Sequence, residues 1–225
     1  MIPAHERGIR MRLVLAARRL AASGANTGTA GNLSVRAPSG GYIITPSGKG
    51  YDAMHPDDLV YMGDDWTHGG GQLAPSTEWR FHRDVYRARP EAGAVAHTHS
   101  PYATTLACLR RPIPAFHYEV ALAGGADIRC ADYATFGTQA LSDHVIAALA
   151  GRRACLLANH GLVAFGADIE AAVALAEKVE ALARLYWQAL QVGEPVLLDE
   201  VEMARVGEKY ATYGRPQPAR VPPLD

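Results

Sequence analysis

Ala94-Val95-Ala96-His97-Thr98-His99 is the stretch from which the reading of this chain unfolds. Apolar residues lead into two histidines one residue apart, and the run from Ala92 to His99 reads as a strand. Successive strand side chains point to opposite faces, so His97 and His99 share one face while Thr98 turns away. Two imidazoles so placed can share one divalent ion, with metal–nitrogen bonds of about 2.0–2.1 Å. Alone, the pair reads more readily as two buried or surface polar residues than as a metal site.

Helical patterns flank this strand. Ser76 or Thr77 is placed to cap a helix over about 77–88 that ends before Pro90, and Pro101 to Leu109 reads as a short helix. Toward the N-terminus, residues 5–23 repeat apolar positions at helical spacing and end at Ser23-Gly24. Strands follow at 33–36, 42–45 and 59–62, separated by glycine-rich turns. Toward the C-terminus, residues 126–131 read as a strand and 138–150 as a helix. Residues 154–158 and 162–165 form two buried strands around Asn159-His160-Gly161. Asp168 caps a long helix through about Val192, and a last helix spans about 199–212. Hairpin-like strand pairs alternating with helices predict a single three-layer α/β/α domain over residues 1–214. The pattern leaves its central sheet mixed or antiparallel with helices on both faces, and a mixed, mainly antiparallel sheet is the expectation. Pro216, Pro218, Pro222 and Pro223 set residues 215–225 apart as an extended tail.

His160 stands at a strand end before Gly161, where a tight turn lets a side chain reach a neighbouring strand. Three histidines leave one position open on a tetrahedral ion, the arrangement of a catalytic zinc. His82, His117 and His144 compete for the role; His82 and His144 fall on helices, where a hydrogen-bonded or solvated role is the plainer reading. Glu78 is the candidate carboxylate, in the first turn of its helix, a common place for a glutamate.

Composition narrows the partners. With 22 basic and 23 acidic residues the net charge is −1, so no broad basic field attracts nucleic acid or an anionic membrane. No run of about 18 apolar residues exists to span a bilayer. The N-terminus carries charge at once, without a signal-peptide core. Cys108, Cys130 and Cys155 are odd in number and form no paired motif, which predicts small core residues in a reduced, cytoplasmic protein.

Several ordered motifs resemble the class II aldolase/adducin family, most closely its L-fuculose-1-phosphate aldolase branch. They are Gly28-Thr29-Ala30-Gly31-Asn32, Ile44-Thr45-Pro46-Ser47-Gly48, Ser76-Thr77-Glu78-Trp79-Arg80-Phe81-His82, His97-Thr98-His99, Ile113-Pro114-Ala115-Phe116-His117-Tyr118, Tyr133-Ala134-Thr135-Phe136-Gly137-Thr138, Asn159-His160-Gly161-Leu162 and Thr212-Tyr213-Gly214. The resemblance implies one zinc, or another divalent metal, on His97, His99 and His160. It makes Glu78 a displaceable fourth ligand that becomes the catalytic base. It further implies a phosphate site from Asn32, Ser47, Gly48, Ser76 and Thr77, and aldol cleavage of a ketose 1-phosphate to dihydroxyacetone phosphate and a short aldehyde. Tyr118 resembles the family's proton-exchanging tyrosine, supplied from a neighbouring subunit, and Tyr213 a second on the C-terminal tail; the resemblance implies a homotetramer with active sites between subunits.

Two positions depart from that branch: Pro216 stands where it has an arginine, with Arg215 one residue early, and Asn159 replaces a histidine. Both bear on the aldehyde. Relatives with other outcomes stay open, namely pentulose-phosphate 4-epimerases, sugar-acid phosphate decarboxylases and sugar-phosphate dehydratases. A non-catalytic adducin-like module is disfavoured, because a buried polar cluster is costly to keep without use.

Overall fold

Seven strands pair into one sheet among the residues described in this computed structural model, which are 4–26, 28–63, 65 and 67–213. They are β1 (Asn32–Arg36), β2 (Tyr42–Ile44), β3 (Val60–Met62), β4 (Ala94–Thr98), β5 (Cys130–Ala131), β6 (Ala154–Leu157) and β7 (Gly161–Gly166). The order is β3-β2-β1-β4-β7-β6-β5, and the pairings are antiparallel apart from the parallel β5–β6 contact. The mixed, mainly antiparallel sheet expected from the sequence is thus present. The proline-rich tail and Arg215 lie outside the described residues.

Strand alternation divides the apolar residues between two cores. Leu33, Val35, Ala94, Ala96, Leu162 and Ala164 face one side. There they meet α1 (Ala4–Ala22), α3 (Pro101–Cys108) and α5 (Ile169–Val192). Ile44, Val60, Val95, Val163 and Phe165 face the other side, against α2 (Trp79–Ala88) and α4 (Gln139–Ala148). Helices therefore cover both faces, and α6 (Glu200–Thr212) packs on a 3-10 helix over Tyr118–Ala123. Each fully buried Val, Leu or Phe contributes about 1.5–3 kcal/mol, so both layers are needed to hold the sheet.

The helix ends follow from local chemistry. Gly24 at φ 75° closes α1, with Ala25 N–H bonded to the Leu20 carbonyl. The Asp168 side chain accepts from Ala171 N–H and caps α5, as its sequence position predicts.

Some expectations need correction. The first α2 residue is Trp79, so Glu78 occupies the N-cap position rather than the first turn. Neither Ser76 nor Thr77 caps the helix; Ser76 Oγ instead accepts from Glu78 N–H. Of the three cysteines only Cys155 is buried, while Cys130 is intermediate and Cys108 exposed at the end of α3. The strand expected over 126–131 is only two residues long, because Ile128 bridges Ile113 before the chain reaches β6. Short 3-10 helices at Tyr51–Ala53, Pro56–Asp58 and Tyr118–Ala123 carry no long apolar period and had no sequence signal.

Gly93 leads into β4 where that strand runs against the turn before α5. A Cβ there would lie 1.9 Å from the Ala167 carbonyl oxygen. Gly93→Ala is expected to cost about 1–3 kcal/mol through overpacking, read as a lower urea midpoint with an unchanged slope. An unshifted midpoint would mean that the crossing yields freely.

Candidate metal centre and active-site cleft

His97 sits in the middle of the sheet, paired with Asn32 on β1 and Val163 on β7. Alternation turns its side chain toward α2, where its ring meets Phe81 edge-on. Its Nδ1–H donates to the Leu162 carbonyl at 2.8 Å, so Nε2 carries the free lone pair. A carbonyl contact of this kind is the support that would orient the ring for a metal. His99 follows just beyond the strand end, its backbone N–H bonded to Asn26 Oδ1 at 3.0 Å.

His160 arrives on the hairpin between β6 and β7. Asn159 adopts φ 56° at the turn, a conformation that asparagine tolerates better than most residues. A Cβ on Gly161 would lie 2.3 Å from the Thr98 carbonyl, so glycine lets the hairpin pass the end of β4. The three rings then form a near-regular triangle. Each pair of centroids is 4.8 Å apart, with interplanar angles of 71°, 76° and 77°.

Glu78 closes the cluster from the start of α2. Its Oε2 lies 3.2 Å from His97 Nε2 and accepts from Asn32 Nδ2 at 2.9 Å. Its Oε1 lies 3.3 Å from His160 Nε2 but has no hydrogen-bond partner, although it is buried. The ligand atoms of Glu78, His97, His99 and His160 all lie within 4.8 Å of one another. This donor set suits a divalent cation. It offers three imidazoles and one carboxylate, an inward lone pair on His97, and an orphaned carboxylate oxygen.

The electrostatics agree. Burial pushes His99 down to about 4 and His160 down to about 3, with repulsion from His97 adding to both, so both imidazoles are neutral and able to ligate. Burial alone would raise Glu78, but His97, then His160 and Asn32, hold it well below the usual carboxylate range. Burial opposes protonation of His97, yet the Glu78 carboxylate outweighs it and raises that residue. A cation held by these atoms would take the place of that proton.

The cluster opens onto a cleft of about 480 Å³. Asn32, Ser47, Gly48, Ser76 and Thr77 line it together with Glu78, His99 and His160, so the expected phosphate residues share one cavity with the cluster. Tyr118 and Tyr213 lie elsewhere, on a groove they share with Tyr210 and Val206. Of the competing histidines, His117 accepts from Glu119 N–H, and His144 donates to the Asp132 carbonyl. His82 is fully buried beside Asn32. Lys49 pairs with Asp58 at 2.6 Å.

One wall was not anticipated. Tyr133, Ala134 and Phe136 line the cleft as well, with Phe136 63% exposed. Arg80 anchors their loop by donating to the Gly137 carbonyl at 2.7 Å. The Tyr133–Thr138 motif marked this loop in the sequence, but nothing there said which cavity it would border.

The chain resembles known proteins in sequence and in fold. The family model described as Class II Aldolase and Adducin N-terminal domain matches residues 11–187. A 5-methylthioribulose-1-phosphate/5-deoxyribulose-1-phosphate aldolase of Rhodospirillum rubrum is 53% identical over 213 residues, 95% of this chain and 96% of that protein. The L-fuculose phosphate aldolase of Escherichia coli K12 is 48% identical over 192 residues, 85% of this chain and 88% of its own length. A solved L-fuculose 1-phosphate aldolase superposes with a TM-score of 0.88 at 39% identity, covering 94% of this chain and 98% of that one. Each of these relatives is named an aldolase, a lyase by reaction class. By sequence and by fold, the chain belongs to the class II aldolase and adducin family.

Proposed function

We propose that this chain cleaves a ketose 1-phosphate between C3 and C4, reversibly, to dihydroxyacetone phosphate and a short aldehyde, with zinc on His97, His99, His160 and Glu78. One observation carries the reading. The four ligand atoms converge within 4.8 Å at the floor of a cleft lined by hydroxyl and glycine-rich donors. Asn32, Ser47, Gly48, Ser76 and Thr77 are assigned to the phosphate. Neutral donors near a helix start hold a dianion without a basic patch, in keeping with the near-zero net charge.

When bound, the cation supplies Lewis acidity that stabilises negative charge developing on the substrate's carbonyl oxygen. The protein's residues handle the protons. In cleavage the C4 hydroxyl loses its proton, the C3–C4 bond breaks, and its electron pair passes into the enediolate of the three-carbon fragment. Glu78 returns a proton to C3; in synthesis it removes that proton. Tyr118, 48% exposed, is assigned to proton exchange at the aldehyde oxygen of a neighbouring subunit's cleft, and Tyr213, 81% exposed, to the same role; a shared cleft calls for an oligomer, assigned here as a homotetramer by family resemblance.

The aldehyde side is assigned to the Tyr133–Phe136 wall. Its rings favour an aldehyde whose far end is apolar. The relative named for 5-methylthioribulose and 5-deoxyribulose 1-phosphates supports a ketose without a free C5 hydroxyl, alongside the L-fuculose type. Incubating the metal-loaded enzyme with dihydroxyacetone phosphate and a panel of aldehydes tests the proposal. Carbon–carbon products with methylthio- or methyl-ended aldehydes are expected. Absence of such products, with a pentulose phosphate epimerised or a sugar-acid phosphate decarboxylated in parallel incubations, would transfer the site to an epimerase or decarboxylase reading.

Three predictions follow from the assigned roles. His97→Ala is expected to lose bound metal and activity together, measured by elemental analysis against a wild type carrying about one zinc per chain. Full metal content in that variant would remove His97 from the ligand set. Glu78→Gln is expected to suppress solvent-deuterium entry beside the carbonyl of dihydroxyacetone phosphate, and exchange at the wild-type rate counts against a base at this position. Thr77→Val is expected to raise KM by roughly ten- to a hundredfold, since a charge-assisted hydrogen bond is worth about 1.5–3 kcal/mol. An unphosphorylated ketose used as well as its phosphate ester would defeat the phosphate assignment.

A further inference from the structure

We propose that Tyr86, Ser34 and His82 form a buried relay that fixes the orientation of the Asn32 amide against Glu78, making His82 a positioning residue for the reaction. The inference rests on the reading of Glu78 as the base.

The relay is built by interleaving two elements. Glu78, His82 and Tyr86 recur every four residues along the face of α2 that meets the sheet, while Asn32 and Ser34 alternate on the facing side of β1. Four helical residues advance about 6 Å and two strand residues about 6.8 Å, so the rows mesh like teeth of similar pitch. The contacts run continuously. Tyr86 Oη lies 2.7 Å from Ser34 Oγ, and Ser34 Oγ lies 2.7 Å from His82 Nδ1. His82 Nε2 lies 2.5 Å from Asn32 Oδ1, and Asn32 Nδ2 lies 2.9 Å from Glu78 Oε2. Ser34 and His82 are fully buried, and Tyr86, Asn32 and Glu78 are 4–6% exposed.

Every proton in this chain has a determined place. A carboxylate accepts hydrogen bonds, so the Asn32 amino group faces Glu78 and its carbonyl oxygen faces His82. That oxygen needs a donor, so His82 carries its proton on Nε2. Burial holds the ring neutral, down to about 3, which leaves Nδ1 as an acceptor. Ser34 therefore donates to Nδ1, and Tyr86 donates to Ser34. Turning the Asn32 amide over would set its oxygen against the Glu78 carboxylate and its N–H groups against the His82 N–H. Both contacts are repulsive in a dry site, where an unmatched polar group costs most. His82 thereby holds in place the donor that faces Glu78, from a position outside the cleft. Asn32 also lines the cleft beside Ser47 and Ser76, so one oriented amide joins the anion pocket to the base.

The test is a double-mutant cycle on the zinc-loaded enzyme. His82→Phe keeps a ring stacked on Phe81, now at 4.7 Å from the imidazole, but removes both hydrogen bonds. It is expected to lower kcat/KM about ten- to a hundredfold, through both kcat and KM because the same amide serves base and phosphate, with metal content nearly unchanged. His82→Gln, which retains one donor and one acceptor, is expected to recover much of the loss. In an Asn32→Leu background, His82→Phe is expected to cost nothing more; an equal loss in both backgrounds overturns the relay. Nitrogen NMR of the wild-type histidines gives a reading that needs neither a variant nor turnover. The Nε2–H tautomer is expected at His82, and an Nδ1–H tautomer overturns the proposal even in an active enzyme. Conversely, absent carbon–carbon cleavage with the Nε2–H tautomer present removes the proposed reaction and leaves the relay geometry standing.

Discussion

The position of β4 constrains everything else in the site. It is bonded on both edges, to β1 and to β7, and its alternation admits only one outcome for His97. The imidazole must point toward α2, between Asn32 on one neighbouring strand and Val163 on the other. A shift of pairing by one residue would turn it into the opposite core, among the apolar residues under α3 and α5. The register also brings the β6–β7 hairpin past the end of β4, where Gly161 allows the close approach that delivers His160. The sheet is therefore the ruler by which three histidines from two segments reach equal ring separations.

Around this cluster the protein holds charge in small amounts and in chosen places. The chain as a whole is nearly neutral. Its local field comes from one ionised carboxylate that favours protonation of His97, with His99 and His160 kept neutral by burial and a cleft of hydroxyls and glycine-rich backbone beside it. Such a site gains strength from exclusion of water rather than from net charge. The Asn32–His82–Ser34–Tyr86 contacts extend the same economy into the layer beneath α2, where each buried polar atom has a matched neighbour.

Much of the fold was legible because apolar periodicity is a direct imprint of two packed faces. The long helix after Asp168, the strands around His160 and the His97–His99 alternation all sit where the pattern places them. What the pattern lacks is information about neighbours. Glu78 read as a first-turn acid, whereas its carboxylate turns from the helix end to the histidines. His82 read as an ordinary helical histidine because its partners, Asn32 and Ser34, lie some fifty residues away. In retrospect a trace was present: polar residues at four-residue spacing from Glu78 to Tyr86 match polar residues at two-residue spacing on β1. Only the docking of α2 on β1 turns that coincidence into contacts. The tyrosines at 118 and 213 line a groove away from the histidine cluster of their own chain.

The account stands on the convergence of His97, His99, His160 and Glu78 around one cation. Anomalous diffraction at the zinc absorption edge, from crystals of the zinc-loaded protein, tests that most directly. The account predicts one strong peak per chain, at about 2.0–2.1 Å from Nε2 of each of the three histidines. A site without a peak, or a peak held by other residues, would contradict it.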